Sequence, residues 1–242
     1  MPNRLKIKRI KDTEIKEEKM RINQKNIKRE KRRKKIKRAG VKVGDKMFKI
    51  WSRKIEIRYW TETGVKKGTG IYDKYWEAFD LSDYDFSGKK IIEVGCGPFG
   101  GVFYNRLEHD VSLVDFCSKE FNEMGYSKRT IEYGNLSHQL PFSDKEFDYA
   151  VCTNTIDHTL DVKRSLGELA RVLKMNGMLF LHVHLRTEEE LSHGHIHILE
   201  PDIMRVYMPK TGFVDREWEQ GEDWVNEDER RPSLFLVLEK LE

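Results

Sequence analysis

The sequence predicts an α/β domain: a mostly parallel sheet of seven strands, closed by an antiparallel C-terminal hairpin and preceded by a basic N-terminal extension. Three observations point there. From Lys89 onward, short β-branched runs alternate with segments of helical periodicity, the pattern of a parallel sheet with helices on its faces. A turn containing Gly95, Gly97, Gly100 and Gly101 follows the first of those runs. The last two runs have no helical pattern between them, so they pair antiparallel at an edge.

Taken in order, Lys90 to Val94 reads as the first strand, entering the turn Gly95-Cys96-Gly97-Pro98-Phe99-Gly100-Gly101 and then a short helix. Val111 to Val114 is the second strand and ends at Asp115, Thr130 to Tyr133 is the third, and Phe147 to Thr153 is the fourth. The turn Ser143-Asp144-Lys145-Glu146 leads into that fourth strand. Asp161 can N-cap a helix whose apolar face is Leu166, Leu169, Ala170 and Leu173, with Asn176-Gly177 as its left-handed stop. Met178 to His184 is the fifth strand. Pro201 fits the first turn of a helix from Glu200 to Met208, and Thr211-Gly212 turns the chain into Phe213 to Trp218. Leu234 to Leu241 closes the sheet.

Ahead of this pattern the composition changes twice. Residues 1–40 form a basic tail, 41–87 an aromatic-rich helical cover, and 88–242 the α/β domain. Met1 to Arg38 holds eighteen Lys and Arg against five Asp and Glu, about +13, which leaves about −9 on the rest of a chain whose net charge is +4. Such a segment cannot build a core by itself. One reading of it is a solubilising or loosely structured tail; the other is binding to RNA, DNA or an acidic partner, because the run Lys31-Arg32-Arg33-Lys34-Lys35 is dense enough to neutralise several phosphates. In the cover, Tyr72, Tyr75, Trp76 and Phe79 fall on one helical face and are expected to pack on the domain.

No stretch approaches the roughly 18 apolar residues of a membrane span, and the N-terminus lacks the apolar core of a secretory signal. Three cysteines without a paired spacing point to neither a disulfide framework nor a zinc finger. The expectation is a cytoplasmic protein without a membrane partner.

Gly95-x-Gly97-x-x-Gly100, with Asp115 downstream at a strand tip, also satisfies the Rossmann dinucleotide fingerprint. Glu93 discriminates. A carboxylate beside the turn repels a pyrophosphate and suits a cationic ligand. Glu93-Val94-Gly95-Cys96-Gly97-Pro98 resembles motif I of the class I S-adenosylmethionine-dependent methyltransferases, in the methyltransferase type 11 manner. The likeness continues in order through Leu140-Pro141-Phe142-Ser143-Asp144, Asn154-Thr155-Ile156-Asp157-His158 and Glu168-Leu169-Ala170-Arg171-Val172-Leu173, reaching from Gly88 to Phe213.

The resemblance implies a Rossmann-like fold and S-adenosylmethionine as cofactor, held by Glu93, Gly95, Gly97, Asp115, Asn135 and Asn154. In it, the glycines admit the ligand close to the backbone, Asp115 accepts the ribose hydroxyls, Asn135 accepts from the adenine amino group, and Asn154 meets the methionine end. His158, beside Asp157, lies where the fold presents acceptor-side groups, and His195 belongs to a lid-like run after strand five; these three are the candidate catalytic residues.

His182, His184, His193, His195 and His197 gather in sequence, but with no evident partner carboxylate no metal is assigned. The motifs of nucleobase amino methyltransferases and pyrimidine C5 enzymes are absent. The expected reaction is O- or N-methylation of a small molecule or sugar. Alternatives are an RNA-modifying enzyme guided by the tail, or a nucleic-acid-binding protein with an inactive fold; an NAD(P)-dependent oxidoreductase is disfavoured by Glu93.

Overall fold

The computed structural model describes residues 52–64, 66, 68–187, 195–224 and 230–241. The basic tail, and the loop position His193, lie outside that set. Seven strands form one sheet: β1 (Lys90–Val94), β2 (Asp110–Asp115), β3 (Ile131–Tyr133), β4 (Phe147–Thr153), β5 (Leu173–His184), β6 (Phe213–Trp224) and β7 (Arg230–Lys240). Their order is β3-β2-β1-β4-β5-β7-β6. β1 to β5 run parallel to one another, and β7 pairs antiparallel with both β5 and β6.

The chain winds outward from β1 to β3 and then returns to lay β4 on the other side of β1. That reversal opens a crevice at the carboxyl ends of β1 and β4, where open α/β sheets take their ligands. β1 is buried on both faces, as a central parallel strand must be. Its alternation sends Ile92 and Val94 into one core cluster and Ile91 into another.

The helices are α1 (residues 52–59), α2 (Gly70–Ala78), α3 (Ser118–Met124), α4 (Val162–Val172) and α5 (Pro201–Tyr207). α4 starts as its cap dictates: Asp161 Oδ1 accepts from the Arg164 N–H at 3.2 Å. Val162, Leu166, Leu169 and Ala170 are its buried face. α2 buries Tyr72 and Tyr75, and Phe79 just past its end packs on Phe180 and Phe235.

Three expectations are corrected, and one helix was not expected. The short helix after the glycine turn is a single 3-10 turn, Gly101–Phe103. The helix before β5 ends at Val172, ahead of Asn176-Gly177; Asn176 does take a left-handed φ of 60°, but inside an irregular start of β5, where the pairing jumps from Leu173 to Met178. The closing hairpin is longer than its apolar runs, because antiparallel pairing carries charged residues on an open edge. α3 has too short an apolar pattern, essentially Phe121 alone, to be read from periodicity. Among the described residues no helix is long and apolar enough to cross a membrane.

Candidate functional site

The floor of the crevice is the glycine turn. Gly97 has a φ of 64°, and a Cβ there would stand 2.5 Å from the Tyr72 hydroxyl and 3.0 Å from the Trp60 ring. Only glycine admits that approach. Alternation along β1 turns Glu93 away from the opening, onto the face of Ile91, where its Oε1 accepts the Val102 N–H at 2.7 Å. A Cβ on Gly101 would stand 1.9 Å from that carboxylate, so the 3-10 turn closes over Glu93 only because position 101 is glycine. Burial pushes the Glu93 carboxyl up to about 8, against the pull of the Val102 and Phe103 amides. Glu93 therefore holds the turn from beneath and is protonated at neutral pH.

Asp115 ends β2 beside the turn. Its Oδ2 accepts the Gly97 N–H at 3.2 Å and its Oδ1 the Cys117 N–H at 2.8 Å, which aims the carboxylate across the turn. Burial raises its pKa to about 7, partly offset by those two amides. Asn154, at the end of β4, has a φ of 48° and a buried Oδ1 without a hydrogen-bond partner. A left-handed non-glycine residue and an orphaned acceptor are both costly, and they mark a position shaped for a ligand that donates.

The roof comes from the N-terminal cover. Arg53 of α1 clamps Glu120 of α3 with two hydrogen bonds, at 2.9 and 2.6 Å, and Trp60 packs edge-on against Phe121 and Phe99. The Tyr72 hydroxyl donates to the Cys96 carbonyl at 3.0 Å, tying α2 to the turn. Between floor and roof lies a cavity of about 460 Å³. Gly95, Gly97, Asp115 and Asn154 line it together with Glu56, Trp60, Tyr72, Thr155, His158 and His195.

On the far side sits a fully buried carboxylate, Asp157. His195 Nδ1 donates to its Oδ2 at 2.9 Å, Arg186 Nε stands 3.5 Å from the same oxygen, and His158 Nε2 is 3.8 Å from Oδ1. Burial would raise the carboxyl, but His158, His195 and Arg186 outweigh it and hold Asp157 well below the usual carboxylate range. An ionised Asp157 keeps the proton of His195 on Nδ1 and leaves Nε2 basic. Burial lowers His195 below the ordinary histidine value, so the ring is neutral. The rings of His158 and His195 are 4.2 Å apart, and His158 Nδ1 is 3.2 Å from Glu56 Oε1.

Of the sequence-derived cofactor contacts, Gly95, Gly97, Asp115 and Asn154 converge on the cavity; Glu93 and Asn135 do not line it. Asn135 spends its Oδ1 on the Ser137 N–H at 2.8 Å, an Asx turn after β3. The histidines split. His182 meets the His184 ring edge-on and packs against Tyr75 and Phe235, whereas His195 joins Asp157 and His158. The partner carboxylate that the sequence did not show is thus Asp157, and ligand atoms of Asp157, His158 and His195 lie within 4.8 Å of one another. The guanidinium of Arg186 against that carboxylate opposes a cation there.

Periodicity had no means of finding Glu56, Trp60 or Lys74, the last a further lining residue on α2. Arg186 was within reach, because it continues the alternation His182-x-His184-x-Arg186 beyond the end of β5.

A family model described as a methyltransferase domain matches residues 92–181, from the middle of β1 to the middle of β5. That stretch, β1 to β5 with the glycine turn, is similar in sequence to a methyltransferase domain. An uncharacterized protein of Methanocaldococcus jannaschii is 33% identical over 142 residues, 48% of this chain and 60% of that protein. A phthiotriol/phenolphthiotriol dimycocerosates methyltransferase of Mycobacterium ulcerans is 30% identical over 45% of this chain and 42% of its own. The chain thus spans about half the length of these two relatives. A crystal structure of a SAM-dependent methyltransferase from Methanosarcina mazei superposes with a TM-score of 0.52 at 17% identity, covering 67% of this chain and 97% of that one. That similarity concerns the fold alone. The matched stretch reaches the carboxyl ends of β1, β2 and β4, which carry Gly95, Gly97, Asp115 and Asn154.

Proposed function

We propose that the protein transfers a methyl group from S-adenosylmethionine to an oxygen or nitrogen of a small molecule or sugar. The observation that carries this reading is the convergence of Gly97, Asp115 and the orphaned Asn154 Oδ1 on one cavity. These residues fit the cofactor by chemistry. Asp115 offers a carboxylate to paired hydroxyls, Asn154 an acceptor to an ammonium, and the turn a backbone free of side chains. When bound, the cofactor supplies an electrophilic methyl group on a sulfonium.

The chain's own groups then align the acceptor, exclude water and receive a proton. Trp60, Tyr72 and Tyr75 form an apolar roof that keeps water from the cavity and strengthens the electrostatics inside it. His195, neutral and oriented by Asp157, takes the acceptor's proton on Nε2. His158, 4.2 Å away and turned toward Glu56, is the second imidazole facing the acceptor. Curated relatives are named after sarcosine and dimethylglycine, after ubiquinone biosynthesis and after tRNA U34. A cytoplasmic setting is in keeping with Cys96, Cys117 and Cys152, which are buried free thiols.

The test is a screen of sugars, phenols, amines and RNA with labelled cofactor, followed by His195→Ala. The variant is expected to lose roughly 10² to 10⁴ in kcat with its affinity for S-adenosylhomocysteine retained. Undiminished turnover in both His195→Ala and His158→Ala removes the base assignment. A second reading, RNA modification, is favoured by the Lys31 to Lys35 run; turnover on RNA alone, lost at high salt, decides for it.

A further inference from the structure

Arg186 is an unusual lining residue. It follows β5, where an isolated bridge to Leu199 pins its backbone through two hydrogen bonds of 3.0 and 3.2 Å. Its side chain lines the cavity although the residue is only 4% exposed. A guanidinium carries five N–H donors, and a buried one normally spends most of them. Among the described residues Arg186 makes a single ion-pair contact, Nε to Asp157 Oδ2 at 3.5 Å, and its Nε has no hydrogen-bond partner. Asp157 Oδ2 accepts from His195 and also faces Arg186. The guanidinium is thus held at this wall by one carboxylate, while none of its N–H groups donates a hydrogen bond to the described residues.

Charges in the cavity are also sorted by element. Asp115 on β2 and Glu56 on α1 act on each other and form its acidic side, which suits the sulfonium and ammonium of the cofactor. Lys74 on α2 lines the same cavity as Arg186, and its charge acts on His182 near the end of β5, so the cations stand on the β5 side with His184 and His195. An oxyanion placed against Arg186 would meet guanidinium N–H groups that donate no hydrogen bond to the described residues, and a guanidinium pairs bidentately with carboxylate and phosphate.

We propose that the methyl acceptor carries an oxyanion, a carboxylate or a phosphate, which Arg186 binds by its guanidinium while Lys74 adds positive charge. The inference rests on the methyl-transfer reading of the same cavity. Held this way, the acceptor presents its nucleophilic atom beside His195, whose Nδ1 bond to Asp157 starts from the carboxylate that Arg186 faces. Arg186 is then the residue that selects acidic acceptors over neutral ones of the same shape.

The test uses the full chain saturated with S-adenosylhomocysteine, titrated calorimetrically with benzoate, its neutral counterpart benzamide, and phenyl phosphate. Benzoate or phenyl phosphate is expected to bind at least tenfold more tightly than benzamide, and the stronger of the two names the oxyanion. Arg186→Met should lose that preference and Arg186→Lys should keep part of it, with S-adenosylhomocysteine affinity within twofold of the parent in both. If Arg186→Met fails to fold, the anion-to-amide ratio in the parent and in Arg186→Lys decides alone. Equal binding of benzamide and both anions overturns the proposal. So does a tenfold loss of S-adenosylhomocysteine affinity in the Arg186 variants, which would assign the guanidinium to the cofactor's own carboxylate. A parent protein that binds no S-adenosylhomocysteine removes the methyl-transfer reading itself. Lost anion preference with the cofactor product still bound removes only the acceptor class.

Discussion

Asp115 and Asp157 are both buried carboxylates, yet their surroundings drive them in opposite directions. Asp115 meets two backbone amides and no cation in contact, so burial dominates and its pKa rises to about 7. Asp157 meets His158, His195 and Arg186, and stays ionised. The first is therefore free to serve a ligand, and the second is committed to orienting His195. Asp115→Ala is expected to weaken S-adenosylhomocysteine binding roughly tenfold to a hundredfold, the value of about 1.5 to 3 kcal/mol for hydrogen bonds to a charged group, read by calorimetry. A lowered His195 pKa also sets the pH profile. The base works deprotonated, so at saturating cofactor kcat/KM for the acceptor should hold through neutral pH and decline only on acidification below the ordinary histidine value of 6.5; under that saturation, which removes the contribution of Asp115, a decline centred above 6.5 would exclude His195 as the base.

At the level of elements, the glycine turn is held from below by Glu93 and from above by Tyr72. Glu93 has a raised pKa, so its contribution to stability is complete below about 4.5 and is lost as pH rises toward about 8, where the folded protein must ionise a buried group. Glu93→Gln mimics the protonated carboxyl and cannot ionise. The variant should therefore flatten the decline in denaturant-measured stability between pH 4.5 and 8, by an amount on the order of 1 to 3 kcal/mol after allowance for relaxation. Asp115 leaves a residual decline in the variant up to about pH 7, since it is raised by the same cause. Identical pH profiles for the parent and Glu93→Gln would show that Glu93 is solvated in solution. From above, the Tyr72 bond to the Cys96 carbonyl joins α2 to the turn. Tyr72→Phe should cost about 1 kcal/mol by thermal unfolding, with the apolar packing of the ring retained.

At the scale of the whole molecule, the cavity's lining among the described residues runs from Ile55 onward. The charge density of residues 1–40 leads us to expect no core of their own there. A chain starting at Val41 should unfold cooperatively and bind S-adenosylhomocysteine as the full chain does. If it comes out insoluble or loses the cofactor product, the tail is structural and the boundary at residue 40 is misplaced. The same pair of proteins tests nucleic-acid binding. Affinity for RNA that falls steeply with salt in the full chain, and is absent after truncation, assigns the phosphates to the tail.

What the sequence determined by itself is local in origin. Strand alternation, the glycines of the turn, the Asp161 cap and Asp115 at the tip of β2 all follow from backbone geometry within a few residues. The parallel core and its closing hairpin follow from element order. The inward aim of Glu93, which the sequence assigns to the cofactor, was decided only by the fold, because both faces of β1 are buried. Only the tertiary structure decided the far side of the cavity. His195 reaches Asp157 across 38 residues, and His158 meets Glu56 from a helix that precedes the sheet. Such pairs depend on which strands lie adjacent and on where the chain returns after β5, and no periodicity encodes that. The separation of acidic and basic sides within one cavity has the same cause: it exists only once α1, α2 and the segment after β5 are folded over the crevice between β1 and β4.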